Sequence, residues 1–190
     1  MYLKNEVAYQ DREGTCRIEE MPVALAEIYS ENECDAIYVG LLSENDAEHE
    51  KDLDVLREIC QNTAVPVIGS GHIFRMEDVK KLLYAGCQQV MLDYADPVQL
   101  ELTKEVSLKF GKEKIAAGVA DISLLEQEKE LLKEYTSNVF LFCPGATAEA
   151  ALMSPVSVVT FCRRFPWKSS SRCFPMPISA VFPVSWSMKT

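Results

Sequence analysis

Gly69, Ser70 and Gly71 close the apolar run VPVIGSG, and His72 and Arg75 follow at once. Small residues let backbone N–H groups approach an anion, and the start of a helix aims further N–H groups at the same point. Ser70 adds a hydroxyl, while His72 and Arg75 add positive charge, so the five form a candidate phosphate lip. The plainer reading is a tight strand-to-helix connection with basic residues on it. Two aspartates, Asp93 in QVMLDY and Asp121 in AAGVAD, stand at the ends of later apolar runs. Strand C-termini carry the chemistry of parallel barrels, so this pair could act as general acid and base. A polar strand end or a helix cap explains both aspartates more simply. His49, within AEHEKD, sits among charges and reads as a solvated surface residue. Seven cysteines stand singly at 16, 34, 60, 87, 143, 162 and 173, and there are two histidines. Without a CxxC pair this supports neither a zinc site nor a disulfide framework, and nothing calls for a cofactor. Cys34 and Cys87 open apolar runs and read as small core residues in a reducing cytoplasm.

The elements that must position these residues recur in a fixed order. From Val65 to Pro97 the chain reads as strand, glycine turn, amphipathic helix and strand. Strands joined by such a crossover run parallel. Similar units run from Met21 to Cys143. Helix-period residues in PVALAEIYSEN lead to strand 36–42, and Asn45 or Asp46 can cap a helix with Leu53, Leu56, Ile59 and Cys60 on one face. Strand 66–70 leads to helix 75–85, stopped by Gly86, and strand 89–94 to helix 97–110, stopped by Gly111. Strand 114–121 leads to helix 124–136, with Ser123 as its cap, and strand 138–143 ends at Pro144-Gly145. Strand starts about 23 to 30 residues apart are the mark of repeated β/α units. The strands are continuously apolar, as helix-covered parallel strands are. An open doubly wound sheet and a barrel both fit this pattern. The chain has 190 residues, short of the roughly 250 of a complete eight-fold barrel.

Composition divides the chain in two. Residues 1–149 hold all 29 acidic residues against 14 basic ones, whereas 150–190 hold five basic residues and no carboxylate. Both tryptophans, the serine run 169–171 and prolines 155, 166, 175, 177 and 183 lie in the second part, where periodicity is lost. These prolines interrupt any helix and demote any strand. The pattern predicts a domain over 1–143 and an irregular, basic, aromatic tail over 144–190. A tail for a membrane or partner is one reading; translation out of frame accounts better for the sudden loss of every carboxylate. The overall charge of −10 excludes non-specific binding to nucleic acid or anionic membranes. No apolar run is long enough for a membrane span, and no signal segment opens the chain.

Several phrases resemble the histidine-biosynthesis barrels, the ProFAR isomerase and the cyclase subunit of imidazole glycerol phosphate synthase. They are MPVALAEIYSENECDAIYVGLL, VPVIGSGHI, EDVKKLLYAGCQQVML and FGKEKIAAGVAD, within roughly residues 2–143. The segment from Asp46 to Cys87 is similar to the barrel-like N-terminal extension of bacterial bifunctional phosphoribosyl-AMP cyclohydrolase/phosphoribosyl-ATP pyrophosphatases. The resemblance implies an α/β fold of parallel β/α repeats, an incomplete TIM-barrel-like array of about five to six units followed by the irregular tail. It also implies a phosphorylated, ribose-type small-molecule ligand. The barrel enzymes carry an aspartate pair at the ends of strands one and five. Here the corresponding positions are Tyr2, with most of strand one lost, and Ala120, and alternation turns Asp121 to the other side of its strand. The Asn-Thr pair ending the family's fourth strand is replaced by Asp93-Tyr94, whose carboxylate would repel a phosphate. A partial barrel leaves strand edges open near strands one and six, which predicts a homo-oligomer formed through them.

Overall fold

The computed structural model describes residues 1–32, 34–119, 127–144 and 179–184. They form one eight-stranded sheet with helices between its strands. The chain opens with strands β1 (Tyr2–Lys4) and β2 (Val7–Tyr9), followed by helix α1 (Pro22–Glu31). Three strand–helix pairs come next: β3 (Ile37–Leu41) and α2 (Asp46–Asn62), β4 (Val67–Ser70) and α3 (Met76–Ala85), β5 (Gln89–Asp93) and α4 (Pro97–Phe110). A short 3-10 turn, Lys112–Lys114, leads into β6 (Ile115–Val119), α5 (Lys129–Tyr135), β7 (Asn138–Pro144) and β8 (Ser179–Val184). The spatial order is β2-β1-β3-β4-β5-β6-β7-β8. β1, β3, β4, β5, β6 and β7 are mutually parallel, and β2 and β8 add antiparallel to the two ends. This is an α/β fold with the strand–helix repeat of a partial barrel.

Local chemistry explains where the elements start and stop. Asn45 accepts the Glu48 amide at 3.0 Å and Asp96 accepts the Val98 amide at 3.0 Å, capping α2 and α4. Gly86 ends α3 in the left-handed conformation at φ 115°, a backbone state that favours glycine. Parallel register sorts the strand residues into two layers. Leu3, Val39, Val67, Val90, Leu92, Ile115, Val119 and Val139 face the helices and bury against Leu53, Leu56, Ile59, Val79, Leu82 and Val106. Ile68, Met91, Ala116 and Phe140 form a second, smaller cluster, with Tyr38 and Ala36 packed on it. Burial on both faces is why these strands are continuously apolar rather than alternating.

The first strand, of which the sequence reading expects most to be lost, is present as three residues. Tyr2 and Leu3 pair with Gly40 and Leu41 of β3, and a hairpin returns as β2. Its turn residues, Asn5 and Glu6, both have positive φ (50° and 65°), the two-residue turn whose twist suits a hairpin. The edges expected to be open beside the first and sixth parallel strands are therefore taken by β2 and β8 of the same chain. β8 is the described part of the tail beyond Pro144. It pairs with β7 along Ser179–Val184, with Pro183 opposite Phe140, and it lies at the sheet edge, where a proline lacking an N–H is tolerated. Ser123 and the start of the helix expected from 124 lie outside the described residues.

A buried carboxylate fastens the hairpin to the repeats. Asp52 of α2 is fully buried, accepting the Glu6 amide at 2.8 Å and the Ser43 hydroxyl at 2.7 Å. It thus ties the β1–β2 turn and the β3–α2 loop to one helix. Asp52→Ala leaves two donors without their acceptor and is expected to cost about 2–4 kcal/mol, read as a lower urea midpoint at unchanged slope. A midpoint within error of the parent would show that the clamp contributes nothing.

Candidate functional site

Tyr2, Tyr38, Ser70, Met91 and Asp93 come together on one face of β1, β3, β4 and β5, with Ser70 and Asp93 closing their strands. With Arg12, Gly71, His72, Phe74 and Gln99 they line a pocket of about 210 Å³. Register dictates this meeting. Tyr2 pairs with Gly40, two residues beyond Tyr38, while Tyr38 pairs with Ile68, two residues before Ser70. All of these therefore share one face of the sheet. The Tyr2 and Tyr38 rings meet edge to face, with centroids 5.7 Å apart. Gly40 makes room for them: a Cβ there would lie 2.6 Å from the Tyr2 ring and 2.9 Å from the Tyr38 hydroxyl. Burial raises both phenol pKa values above the usual tyrosine value.

The pocket's charge is paired. A loop from Asp11 to Cys16 is closed by the Asp11 carboxylate, which accepts the Thr15 amide at 2.9 Å and the Cys16 amide. That loop holds Arg12 over the strand ends, where its guanidinium donates to the carboxylate of Asp93. The other Asp93 oxygen accepts the Ala95 amide at 2.9 Å. Gln99 accepts the Asp93 amide at 2.9 Å and donates to Asp96 at 3.2 Å. Asp93 is thus a neutralised, fully engaged strand end.

The candidate phosphate lip divides. Ser70, Gly71 and His72 line the pocket; Gly69 and Arg75 do not. Gly69 faces the helices, where a Cβ would meet the Cys87 sulfur at 2.7 Å. The Ser70 hydroxyl is buried and donates to the Met91 carbonyl at 2.9 Å. Gly71 has φ 90°, and a Cβ would lie 2.1 Å from the Leu41 carbonyl oxygen, so only glycine fits the turn. Arg75 precedes α3, exposed, with its Nε 3.8 Å from Asp78. The buried Asp78 carboxylate accepts the Phe74 and Arg75 amides at 3.0 and 3.1 Å, so the start of α3 is already occupied by its own acid. Asp121 lies outside the described residues. Among the described residues no cluster of three His, Cys, Asp or Glu side chains could hold a metal ion.

His49 overturns its surface assignment. It is 1% exposed, and neither ring nitrogen has a hydrogen-bond partner among the described residues. Its ring stacks on that of His72 with centroids 4.3 Å apart. His72, at φ 52°, contacts the Ser43 carbonyl through Nδ1 at 3.0 Å and Asp46 through Nε2 at 3.3 Å. The charged stretch AEHEKD concealed the burial because His49 shares the apolar face of α2 with Leu53 and Leu56. Arg12, Tyr38 and Gln99 were also missed. Arg12 meets its partner 81 residues away, which no local pattern can announce; the Asp11–Thr15 turn was the one available sign.

Taken together, the fold and pocket define a partial (β/α) barrel whose cleft opens at the strand C-terminal ends, where such barrels bind their ligands. The family described as "Histidine biosynthesis protein" matches residues 6–137, and the chain belongs to it. Imidazole glycerol phosphate synthase subunit HisF of Bacillus pumilus is 29% identical over 108 residues, covering 57% of this chain and 42% of that protein. The same subunit from Halalkalibacterium halodurans is 31% identical over 98 residues, covering 52% and 39%. That of Bacillus subtilis is 27% identical over 115 residues, covering 60% and 45%. The chain thus spans less than half the length of these curated relatives.

Burial, followed by the neighbouring His72 and Lys81, lowers the His49 pKa to about 4, against an ordinary value of 6.5. Because the folded value is the lower one, the stabilisation is present above pH 6.5 and is lost as pH falls towards 4. Urea midpoints should show a loss of about 2 kcal/mol between pH 7 and pH 5, most of it abolished in His49→Gln. An identical pH slope in parent and variant would contradict this assignment.

Proposed function

We propose that this chain is a non-catalytic histidine-biosynthesis barrel piece, the accessory N-terminal part of a bifunctional phosphoribosyl-AMP cyclohydrolase/phosphoribosyl-ATP pyrophosphatase. The observation that carries the reading is the makeup of the pocket. Tyr2, the first residue of β1, stands where the family resemblance puts an aspartate, and the carboxylate among the lining residues, Asp93, is ion-paired with Arg12. Moving a proton on a sugar phosphate needs a group free to take one, and among the described lining residues the carboxylate is ion-paired and the two phenols are raised by burial. The resemblance of the Asp46–Cys87 segment to the extension of the bifunctional enzymes is what the narrower assignment rests on. On this reading the hydrolytic steps belong to other domains, and the chain works in the cytoplasm. Ser70, Gly71 and His72, with Arg12 as the cation, are the residues that would meet a phosphorylated ribose. A homo-oligomer would now have to use the β2 and β8 edges.

A second reading, a cyclase of the HisF type, is favoured by the relatives above. The two separate in one assay. The purified full chain is supplied with each aminoaldose substrate of the family, with ammonium as nitrogen donor, and product is followed spectroscopically. No turnover above the protein-free control is expected. Turnover that disappears in Asp93→Asn would establish the cyclase or isomerase reading instead.

A further inference from the structure

On the side of the sheet away from the pocket, two cysteines are brought together by the fold. Cys60 lies in the last turn of α2, and Cys87 stands between Gly86 and β5. Cys60 packs against Gly86, the residue before Cys87, and each thiol acts on the ionisation of the other. Two glycines make the approach possible. A Cβ on Gly86 would lie 2.8 Å from the Cys60 Cβ and 3.5 Å from its sulfur, so the chain can cross the end of α2 only without a side chain there. A Cβ on Gly69 would lie 2.7 Å from the Cys87 sulfur and 3.3 Å from Leu82, so the missing side chain is the seat of that sulfur. The Cys87 amide donates to the Leu82 carbonyl at 3.3 Å and fixes the backbone at this point. Access is unequal: Cys60 is half-buried, whereas Cys87 is buried.

We infer that Cys60 and Cys87 form a reversible dithiol–disulfide couple, oxidised by hydrogen peroxide, that fastens the end of α2 to the start of β5. Cys60 is the attacking group and Cys87 the resolving one. Cys60 is the more accessible of the two, and the neighbouring Cys87 thiol holds its pKa below that of an ordinary thiol, while Cys60 and burial raise that of Cys87. The Cys60 thiolate attacks one peroxide oxygen; the O–O bond breaks and hydroxide leaves, taking up a proton as water. The resulting sulfenic acid is attacked at sulfur by Cys87; the S–O bond breaks, and hydroxide leaves with the Cys87 proton as a second water. Two thiols and one peroxide thus give one disulfide and two waters, and a dithiol reductant returns the two electrons. Cys16, which is exposed, provides an internal comparison.

The full chain is treated with a few equivalents of hydrogen peroxide, blocked with N-ethylmaleimide and digested without reduction for mass spectrometry. The expected product is a Cys60–Cys87 peptide two mass units below the sum of its parts. It should form at least tenfold faster than Cys16 is modified and disappear with dithiothreitol. In Cys87→Ala, dimedone should label Cys60. In Cys60→Ser, a change at the half-buried position that tests the couple even if the buried variant fails to fold, Cys87 should stay a thiol under the same treatment. Oxidation of Cys60 to sulfinic acid without a link, or Cys16 reacting first, would overturn the couple.

Discussion

A parallel ladder allows no independent choice of which side chains share a face. Each residue of β3 is opposite one residue of β4, and so on across the sheet, so a single register commits the whole wall of the cleft. Tyr2, Tyr38, Ser70, Met91 and Asp93 meet because that register permits no other arrangement. The same register sends Leu3, Val39, Val90, Ile115 and Val139 into the helix layer, where they form the core. Cleft and core are two sides of one constraint, and slipping one strand by a residue would exchange them.

Polar contacts then secure what the register arranges. Asp52 holds the hairpin turn and the β3–α2 loop, and without it the short β1 would have only a two-residue pairing with β3. Asp78 holds the turn before α3, and Gly71 allows that turn to lie against Leu41. Arg12 reaches from the loop after β2 to the end of β5, joining opposite sides of the cleft through one ion pair. A pair so exposed on the arginine side adds little to stability. Its consequence is chemical, because it removes the negative charge that would otherwise face an anionic ligand.

The repeat itself was legible in the sequence, and for physical reasons. Continuous apolar runs, Asn45 and Asp96 as caps, and Gly86 and Gly111 as stops are local features, and each element they announced from Pro22 to Phe110 is present. The β1–β2 hairpin was not legible, since its strands have three residues each and its turn uses Asn-Glu rather than a glycine pair. The cleft was half legible. Gly71, His72 and Asp93 sit at strand ends that the pattern locates, whereas Arg12 and Gln99 enter through contacts that only the folded chain makes. His49 failed because its charged neighbours outweighed its helical spacing from Leu53 and Leu56.

The histidine-biosynthesis family here supplies a half-barrel whose first strand starts at a tyrosine and whose cleft carboxylate is already paired. On the function proposed above, such a chain serves histidine biosynthesis without performing the barrel's reaction. The most direct measurement is growth of a histidine auxotroph lacking the cyclase subunit, expressing this chain at a level verified by immunoblot, on medium without histidine. The account predicts no growth, with a functional cyclase gene restoring it. Growth supported by this chain alone would contradict the account and return the cleft to catalysis.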